Sequence, residues 1–318
     1  MPVNASAPAD VLVASDMCID LMLSGNVRPQ FHQVEQLIGD YQLELGGSAN
    51  IFAGQLAKLG AAVGVIGTLG ADCLGEFALK RLGELGIDIG RVRVDPSVRT
   101  GLGVALIEAD DRAILTYTGS IAAVGPEHLP LPPAGACRHW HVAGYFLLDR
   151  LRPAWPDWLA GCRAAGITTS LDPNWDPENR WDGIADLLPH LDVFLPNESE
   201  ALAITGCADV PQAARALSSA GPLVAVKCGR EGVVAASRDG FWQAPALTLD
   251  GPLVDTVGAG DNFDAGFLCG WLSGWDVPAC VHLGQRCGRA SLGRSGGFAG
   301  QLCEPVFEGG NRKRKIDR

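Results

Sequence analysis

Within the 318 residues, the run Val-Asp-Thr-Val-Gly-Ala-Gly-Asp-Asn-Phe at 254–263 has the residue types and spacing to hold an anion beside a base. Gly258, Ala259 and Gly260 are three small residues in a row, so the backbone can approach a ligand without side-chain obstruction. Beyond them Phe263, Ala265, Phe267, Leu268 and Trp271 make an apolar stretch compatible with a helix. A small-residue turn that opens a helix presents unpaired N–H groups and the positive end of the helix dipole, which together bind anions. Asp261 stands at the mouth of that helix. Its carboxylate could cap the backbone N–H groups, or take a proton from a nucleophile beside a bound phosphate.

The elements that must position this turn follow from composition and pattern. Hydrophobic residues are 47% and charged residues 19%, so a sizeable core is expected. The net charge of −11 argues against a general nucleic-acid binder, and the sole basic run, at 312–315, reads as part of a solvated tail over 309–318. No pair among the ten cysteines has Cys-x-x-Cys spacing, which points to reduced core thiols rather than a zinc or redox motif. The N-terminus lacks the charged start of a signal peptide, and no apolar run is long enough to span a bilayer. A cytoplasmic protein with no membrane partner is expected.

Residues 11–14 and 63–67 read as buried strands, and 41–45 as a half-exposed one. Helices are predicted over 51–60 and 75–85, closed by Gly60 and Gly86. Strands at 101–108 and 113–118 flank the hairpin turn Ala109-Asp110-Asp111-Arg112. From residue 138, strands at 139–143, 167–171, 191–195 and 223–227 alternate with helices near 153–165, 183–189, 198–204 and 211–219. That alternation predicts a parallel sheet with helices on both faces. A late hairpin at 233–236 and 241–244 and two helices near 259–273 and 277–292 complete the chain, with Pro130-Leu-Pro-Pro as the clearest linker. The expected architecture is one α/β domain over 1–318 with a small β appendage from about 16–46 and 95–119.

Several chemistries are excluded. No Gly-x-x-x-x-Gly-Lys-Ser/Thr is present, and no Gly-x-Gly-x-x-Gly follows the first strand. Gly293-Arg-Ser-Gly-Gly297 has the form of a nucleophile elbow, yet no histidine follows it. His139 and His141 have same-face spacing on a strand; without a third ligand nearby they read as core or edge histidines.

The run 254–267 resembles the C-terminal signature of the ribokinase-like (pfkB) carbohydrate kinases. Gly46-Gly47-Ser48-Ala49-Asn50 and its following helix resemble their N-terminal signature. Leu195-Pro196-Asn197-Glu198-Ser199-Glu200 is similar to the family's Asn-x-x-Glu motif, and residues 224–232 resemble the strand and turn bordering its nucleotide site. The resemblance implies a three-layer α/β/α fold with a mostly parallel central sheet and a β-sheet lid. It also implies ATP-dependent transfer of the γ-phosphoryl group to a hydroxymethyl group, with Mg²⁺ as cofactor.

By that resemblance Asp261 is the base, and Gly258, Ala259 and Gly260 form the anion hole. Asp20, Gly47 and Asn50 bind the sugar, and Tyr117, or a lid residue near it, covers it. Asn197, Lys227, Gly229 and Gly232 lie along the ATP site. Asn197 and Glu200 resemble the pair that orders metal-bound water and phosphate, with Glu200 acting on Mg²⁺ mostly through water. Asp255 matches the aspartate that, in many relatives, helps hold a monovalent cation, so K⁺ is a candidate ion.

Many sugar-acid kinases of the family follow their Asp-x-Asn element with arginine two residues on. Here Asp172-Pro-Asn174 is followed by Trp175 and Asp176, whose charge would repel an anionic substrate. A neutral pentose or hexose is therefore expected ahead of a 2-keto-3-deoxy sugar acid. A nucleoside is the alternative, with Phe31, Phe146 and Trp175 as candidates for stacking on a base. A catalytically silent sugar-binding protein is a further alternative, which the intact Asp261 opposes. Asn262 could reach a substrate or the lid. A homodimer is left open.

Overall fold

The computed structural model describes residues 9–108, 111–129, 136–249 and 251–308. The Pro130-Leu-Pro-Pro linker, the tip of the hairpin at 109–110 and the basic tail at 309–318 lie outside these residues.

Thirteen strands form two sheets among the described residues. In chain order they are β1 (Ala9–Ala14), β2 (Cys18–Ser24), β3 (Asp40–Gly46), β4 (Val63–Gly70), β5 (Asp88–Asp95), β6 (Gly101–Glu108), β7 (Asp111–Tyr117), β8 (Cys137–Val142), β9 (Thr168–Leu171), β10 (Val193–Phe194), β11 (Leu223–Lys227), β12 (Val233–Ala236) and β13 (Phe241–Ala244). The helices are α1 (Ser48–Lys58), α2 (Cys73–Glu84), α3 (Trp155–Ala164), α4 (Ile184–Leu187), α5 (Glu198–Thr205), α6 (Val210–Ser219), α7 (Ala259–Ser273), α8 (Val277–Ser291) and α9 (Gly296–Ala299).

The large sheet has the order β13-β12-β11-β10-β9-β8-β1-β4-β5. It is parallel from β11 to β5, with the antiparallel β12–β13 hairpin at one edge. Strands buried on both faces carry continuous apolar or small runs, as in Val-Gly-Val-Ile-Gly-Thr-Leu-Gly of β4. One core lies between the sheet and α3–α6, built on Trp140, Trp155 and Phe194. The other lies between the opposite face and α1, α2, α7 and α8, built on Phe52, Leu56 and Phe267. The result is the three-layer α/β/α arrangement expected from the alternation.

Differences from the expected elements have local causes. Strand β5 was not foreseen, because as an edge strand it is half-exposed and its Arg91 and Arg93 break any apolar run. The helix expected near 183–189 shrinks to α4, since Pro189 has no N–H and the chain continues as a single 3₁₀ turn.

The smaller sheet, ordered β3-β2-β6-β7, joins segments far apart in sequence. Strands β2 and β6 are parallel, while β3 and β7 flank them antiparallel. Register puts Asp20 opposite both Glu44 and Gly103, so Cys18, Asp20 and Met22 share one face with Gly103 and Thr116. Leu21, Leu43, Val104 and Leu115 take the other face. Tyr117 belongs with this second set and is half-exposed.

Candidate active site

The chain leaves the carboxyl ends of β1, β8, β9, β10 and β11 toward one place, the crevice where ligands bind in open parallel sheets. These strand ends deliver Asp16, Gly144, Asp172, Asn197 and Lys227, and the start of α7 faces them. Gly258 precedes α7 with φ 72°, a left-handed conformation; a Cβ there would lie 2.8 Å from Gly297 Cα. No side chain caps this fifteen-residue helix; the Ala259 N–H donates to the Thr256 carbonyl at 3.3 Å, and the helix start beyond it can meet an anion.

Asn262 explains why the turn holds its shape. Its amide donates to the Gly258 carbonyl at 2.8 Å and the Gly297 carbonyl at 3.0 Å, and it accepts from Gln301. It therefore faces inward, reaching neither a substrate position nor the small sheet. Asp255 likewise ties loops together, accepting from the Val257 N–H at 2.9 Å and the Gly296 N–H at 2.8 Å.

Asp261 lies in the first turn of α7 and is 8% exposed. Burial pushes its carboxyl up to about 8; the Asp172 charge adds to this, and Lys227 opposes it. The Ser48 hydroxyl is hydrogen-bonded to it and in turn accepts from Asn174 Nδ2 at 3.1 Å. Asn174 sits at φ 54° and takes the Gly144 N–H at 2.6 Å. Two polar side chains, Ser48 and Asn174, thus orient Asp261.

Two cavities meet at this turn. The first, about 480 Å³, runs between the small sheet and α7. Five carboxylates line it: Asp16, Asp20, Asp172, Glu200 and Asp261, with Gly47, Ser48, Ile114, Thr116 and Leu147 among the other walls. The second, about 570 Å³, is lined by Val233, Leu247, Leu249, Leu253, Phe263 and Leu292, with Arg230 and Arg289. Lys227, Gly229, Thr256 and Gly260 line both. Gly232 borders the second cavity at φ 100°, turning the chain between β11 and β12 where a Cβ would strike the Ala244 carbonyl.

Lys227 is held at the junction. Its Nζ is 3.0 Å from Asp172 Oδ2 and 2.8 Å from Asp264 Oδ2. Burial alone would lower its pKa, but Asp172, Asp264 and Glu200 outweigh that and hold it charged. Glu200 is buried, which pushes it up to about 7 with help from Asp172. It forms a capping box with Asn197: Glu200 N–H donates to Asn197 Oδ1 at 2.9 Å, and Asn197 N–H to Glu200 Oε2 at 2.8 Å. Both side chains line the first cavity while starting α5.

Several sequence-based expectations need correction. Asn50 is fully buried, donating to the Gly46 carbonyl at 2.7 Å and accepting from Ser15 at 2.8 Å, so it braces the turn before α1 rather than forming the cavity wall. Tyr117 points away from the cavity, which its neighbour Thr116 lines instead, because side chains alternate along β7. Asp176 accepts the backbone N–H groups of Glu178, Arg180 and Trp181 and lines neither cavity. Burial raises its pKa, those bonds more than reverse this, and the charge serves its own loop. Phe31 is 81% exposed, Phe146 packs edge-on against Trp181, and Trp175 does the same from outside; none lines the cavity. His139 and His141 are buried and joined through the Ser170 hydroxyl.

Sequence reasoning missed Asp16, whose carboxylate accepts the Ser48 and Ala49 N–H groups at 3.2 Å each. Burial pushes it up to about 7. Asp264 was missed as well, although its spacing of three from Asp261 on a helix was a readable signal.

Known kinases resemble the chain over most of its length. It is 31% identical over 263 residues to an ATP-dependent ribose-1-phosphate kinase of Halopiger xanaduensis, covering 82% of this chain and 84% of that one. It is 29% identical over 260 residues to a cytidine kinase of Thermococcus kodakarensis, covering 80% and 90%. A ribokinase II-type protein of E. coli, solved with ATP and Mg²⁺, superposes with a TM-score of 0.81 at 23% identity, covering 92% of this chain and 96% of that one. The sequence profile of pfkB family carbohydrate kinases matches residues 9–301, and the chain belongs to that family.

Proposed function

We propose that this kinase uses ATP to phosphorylate a hydroxymethyl group of a small neutral sugar, a pentose or hexose. The observation that carries the reading is the meeting of two unlike cavities at the turn 258–261, with a buried aspartate in that turn. Family membership supports ATP and Mg²⁺ as the phosphoryl donor system.

In this reading the second cavity takes the adenosine part of ATP on its leucines and valine, with Gly229 and Gly232 beside it. Lys227 and the N–H groups of Gly258, Ala259 and Gly260 meet the phosphates at the junction. The first cavity takes the sugar: Asp20 accepts from its hydroxyls, Gly47 allows close approach, and the small sheet acts as the lid. Asp261 accepts the hydroxyl proton as the new O–P bond forms and the bond to ADP breaks. The donor set also fits Mg²⁺, a hard cation that prefers oxygen: Glu200 and Asn197 would hold it through water, and it would neutralise phosphate charge. Asp255 beside the turn is the candidate for a monovalent cation such as K⁺.

The neutral sugar rests on the first cavity rather than on Asp176. Five carboxylates and one already paired lysine line it, with no arginine among the described residues. An acid or phosphate group would find no unpaired cation on this wall and would meet the Asp172 charge, which Lys227 keeps ionised. A nucleoside is the second reading, favoured by Ile114, Ile121 and Leu147 on the same wall. A coupled ADP-release screen over neutral sugars, sugar acids, sugar phosphates and nucleosides, with Mg²⁺ present and K⁺ varied, tests all of these. Turnover confined to anionic acceptors would overturn the neutral-sugar reading.

A further inference from the structure

We propose that Asp264 is a positioning residue for phosphoryl transfer: with Asp172 it holds the Lys227 ammonium at the mouth of the α7 turn, where the transferring group passes between the cavities. The inference rests on the kinase reading above and assigns a task to a buried acid that reading does not use.

Three elements converge on the ammonium. Lys227 ends β11, Asp172 follows β9, and Asp264 lies on α7 three residues after Asp261, so one helix face presents both the base and this acid. The side chains of Lys227, Asp172 and Asp264 are 12%, 3% and 1% exposed. Bonds of 3.0 and 2.8 Å from two carboxyl groups fix a lysine whose four-carbon stem is otherwise flexible. The fixed position is significant: Nζ lies 3.5 Å from where a Cβ on Gly260 would stand, beside the backbone that meets the anion. Lys227 is also the only cationic residue among those described that lines both cavities.

The charge state follows from the contacts. Asp172 and Asp264 both reach the Lys227 Nζ, so two buried carboxyl groups converge on one ammonium, and a proton between them would relieve their repulsion. Asp264 Oδ1 is buried and no donor reaches it. A proton on Asp264, given to Asp172, satisfies both facts. Asp172 then carries the negative charge, Lys227 the positive one, and Asp264 is a neutral acid that orients without quenching. Burial drives Asp264 toward the neutral form, whereas the Lys227 charge overcomes burial at Asp172. A structural ion pair would need only one of the two carboxyls.

The test compares Lys227→Met, Asp264→Asn, Asp264→Leu and the double variant Lys227→Met/Asp264→Leu in steady-state kinetics on the acceptor found by the screen, with thermal melting alongside. An amide can donate to Asp172 and accept from Lys227, so Asp264→Asn should keep kcat within about threefold of the parent. Asp264→Leu frees the ammonium and should lower kcat about tenfold to a hundredfold, the usual cost of a misplaced catalytic group, with the sugar KM unchanged. Lys227→Met should lose about as much, and the double variant no more than Lys227→Met alone, because both act through one group. Asp264→Ser, which admits water, takes the place of Asp264→Leu if the latter does not fold. An unchanged kcat without the carboxyl, an Asn variant as slow as the Leu variant, or losses that multiply in the double variant would each overturn the clamp. A parent enzyme that releases no ADP with any acceptor overturns the kinase reading and the clamp with it. An active parent with an unaffected Asp264→Leu overturns the clamp alone.

Discussion

The two cavities that share the turn 258–261 are close in volume, 480 and 570 Å³, and opposite in chemistry. One is walled by carboxylates, the other by leucines, valine and phenylalanine with two arginines at its margin. Carboxylates make good acceptors for neutral hydroxyls and poor neighbours for anions. An apolar slot with peripheral cations suits a flat base carrying a polyphosphate. On the proposed reading the difference makes substrate sorting electrostatic, and the junction must reconcile both sides. It does so with helix N–H groups and Lys227, which contribute positive charge just where the carboxylate-rich wall ends.

The strongest way to break the comparison is to remove the group that, in the proposed function, serves only the reaction. Asp261→Asn should lower kcat by at least about 10²-fold, since an amide cannot take the hydroxyl proton. Both KM values should change little, because each cavity keeps its walls. Stability at pH 8 should be equal or higher, because the variant removes a carboxyl that burial keeps from ionising. A variant with most of its kcat intact would reduce Asp261 to a residue of the helix start.

Next in size is the sugar side. Asp20 lies on β2 between Glu44 and Gly103; the glycines at 46 and 103 leave room for its carboxylate, which accepts from Cys18 Sγ at 3.8 Å. Asp20→Ala should raise the sugar KM roughly tenfold to a hundredfold, as expected for a lost hydrogen bond to a charged group. The KM for ATP should not move. A matching rise in both would show that the cavities are not separate sites.

The pH dependence sharpens the contrast from another side. Asp261 must be ionised to act as a base, so kcat/KM should rise about tenfold per pH unit up to about 8 and then level off. Stability should run the other way. The folded-state value of about 8 stands above the ordinary 3.8, so the folded protein holds the extra proton between them. That contribution is complete below 3.8 and is lost as pH rises through 8. Asp16 and Glu200, each pushed up to about 7 by burial, add to the same trend. A melting temperature that climbs from pH 5 to 9 would contradict this arrangement.

What the sequence disclosed follows the same division. The turn 258–261 was legible because small residues, an acid and a helix occur consecutively, and α7 spans the expected 259–273. The three layers were legible from alternation, which is a local signal repeated many times. The carboxylate wall was only half legible. Asp16 lies four residues from Asp20 and reads as a similar acid, yet its two backbone N–H donors come from residues 48 and 49. Asn50 and Asp176 failed for the converse reason: Asn50 is consumed by the Gly46 carbonyl and the Ser15 hydroxyl, and Asp176 by nearby backbone N–H groups, which residue type alone does not reveal. Tyr117 failed by one residue of register, which in a strand reverses the face.

The smallest expected effect belongs to the apolar side and is the most selective. Leu249 lines the second cavity and is 38% exposed, so it contributes contact area to a ligand but little to the core. Leu249→Ala removes apolar surface worth roughly 1 kcal/mol if half the side chain is covered by the bound base. The KM for ATP should therefore rise about fivefold, the ratio that this loss of binding energy corresponds to at room temperature. The sugar KM and kcat should stay put, since uniform binding of the base is lost and nothing at the junction changes. Replacing the same residue by Asp should do more, about tenfold or beyond, because it would bring the carboxylate character of the first cavity into the second. If Leu249→Asp left the KM for ATP unchanged, the apolar slot would not be where the nucleotide binds, and the contrast between the cavities would lose its functional meaning.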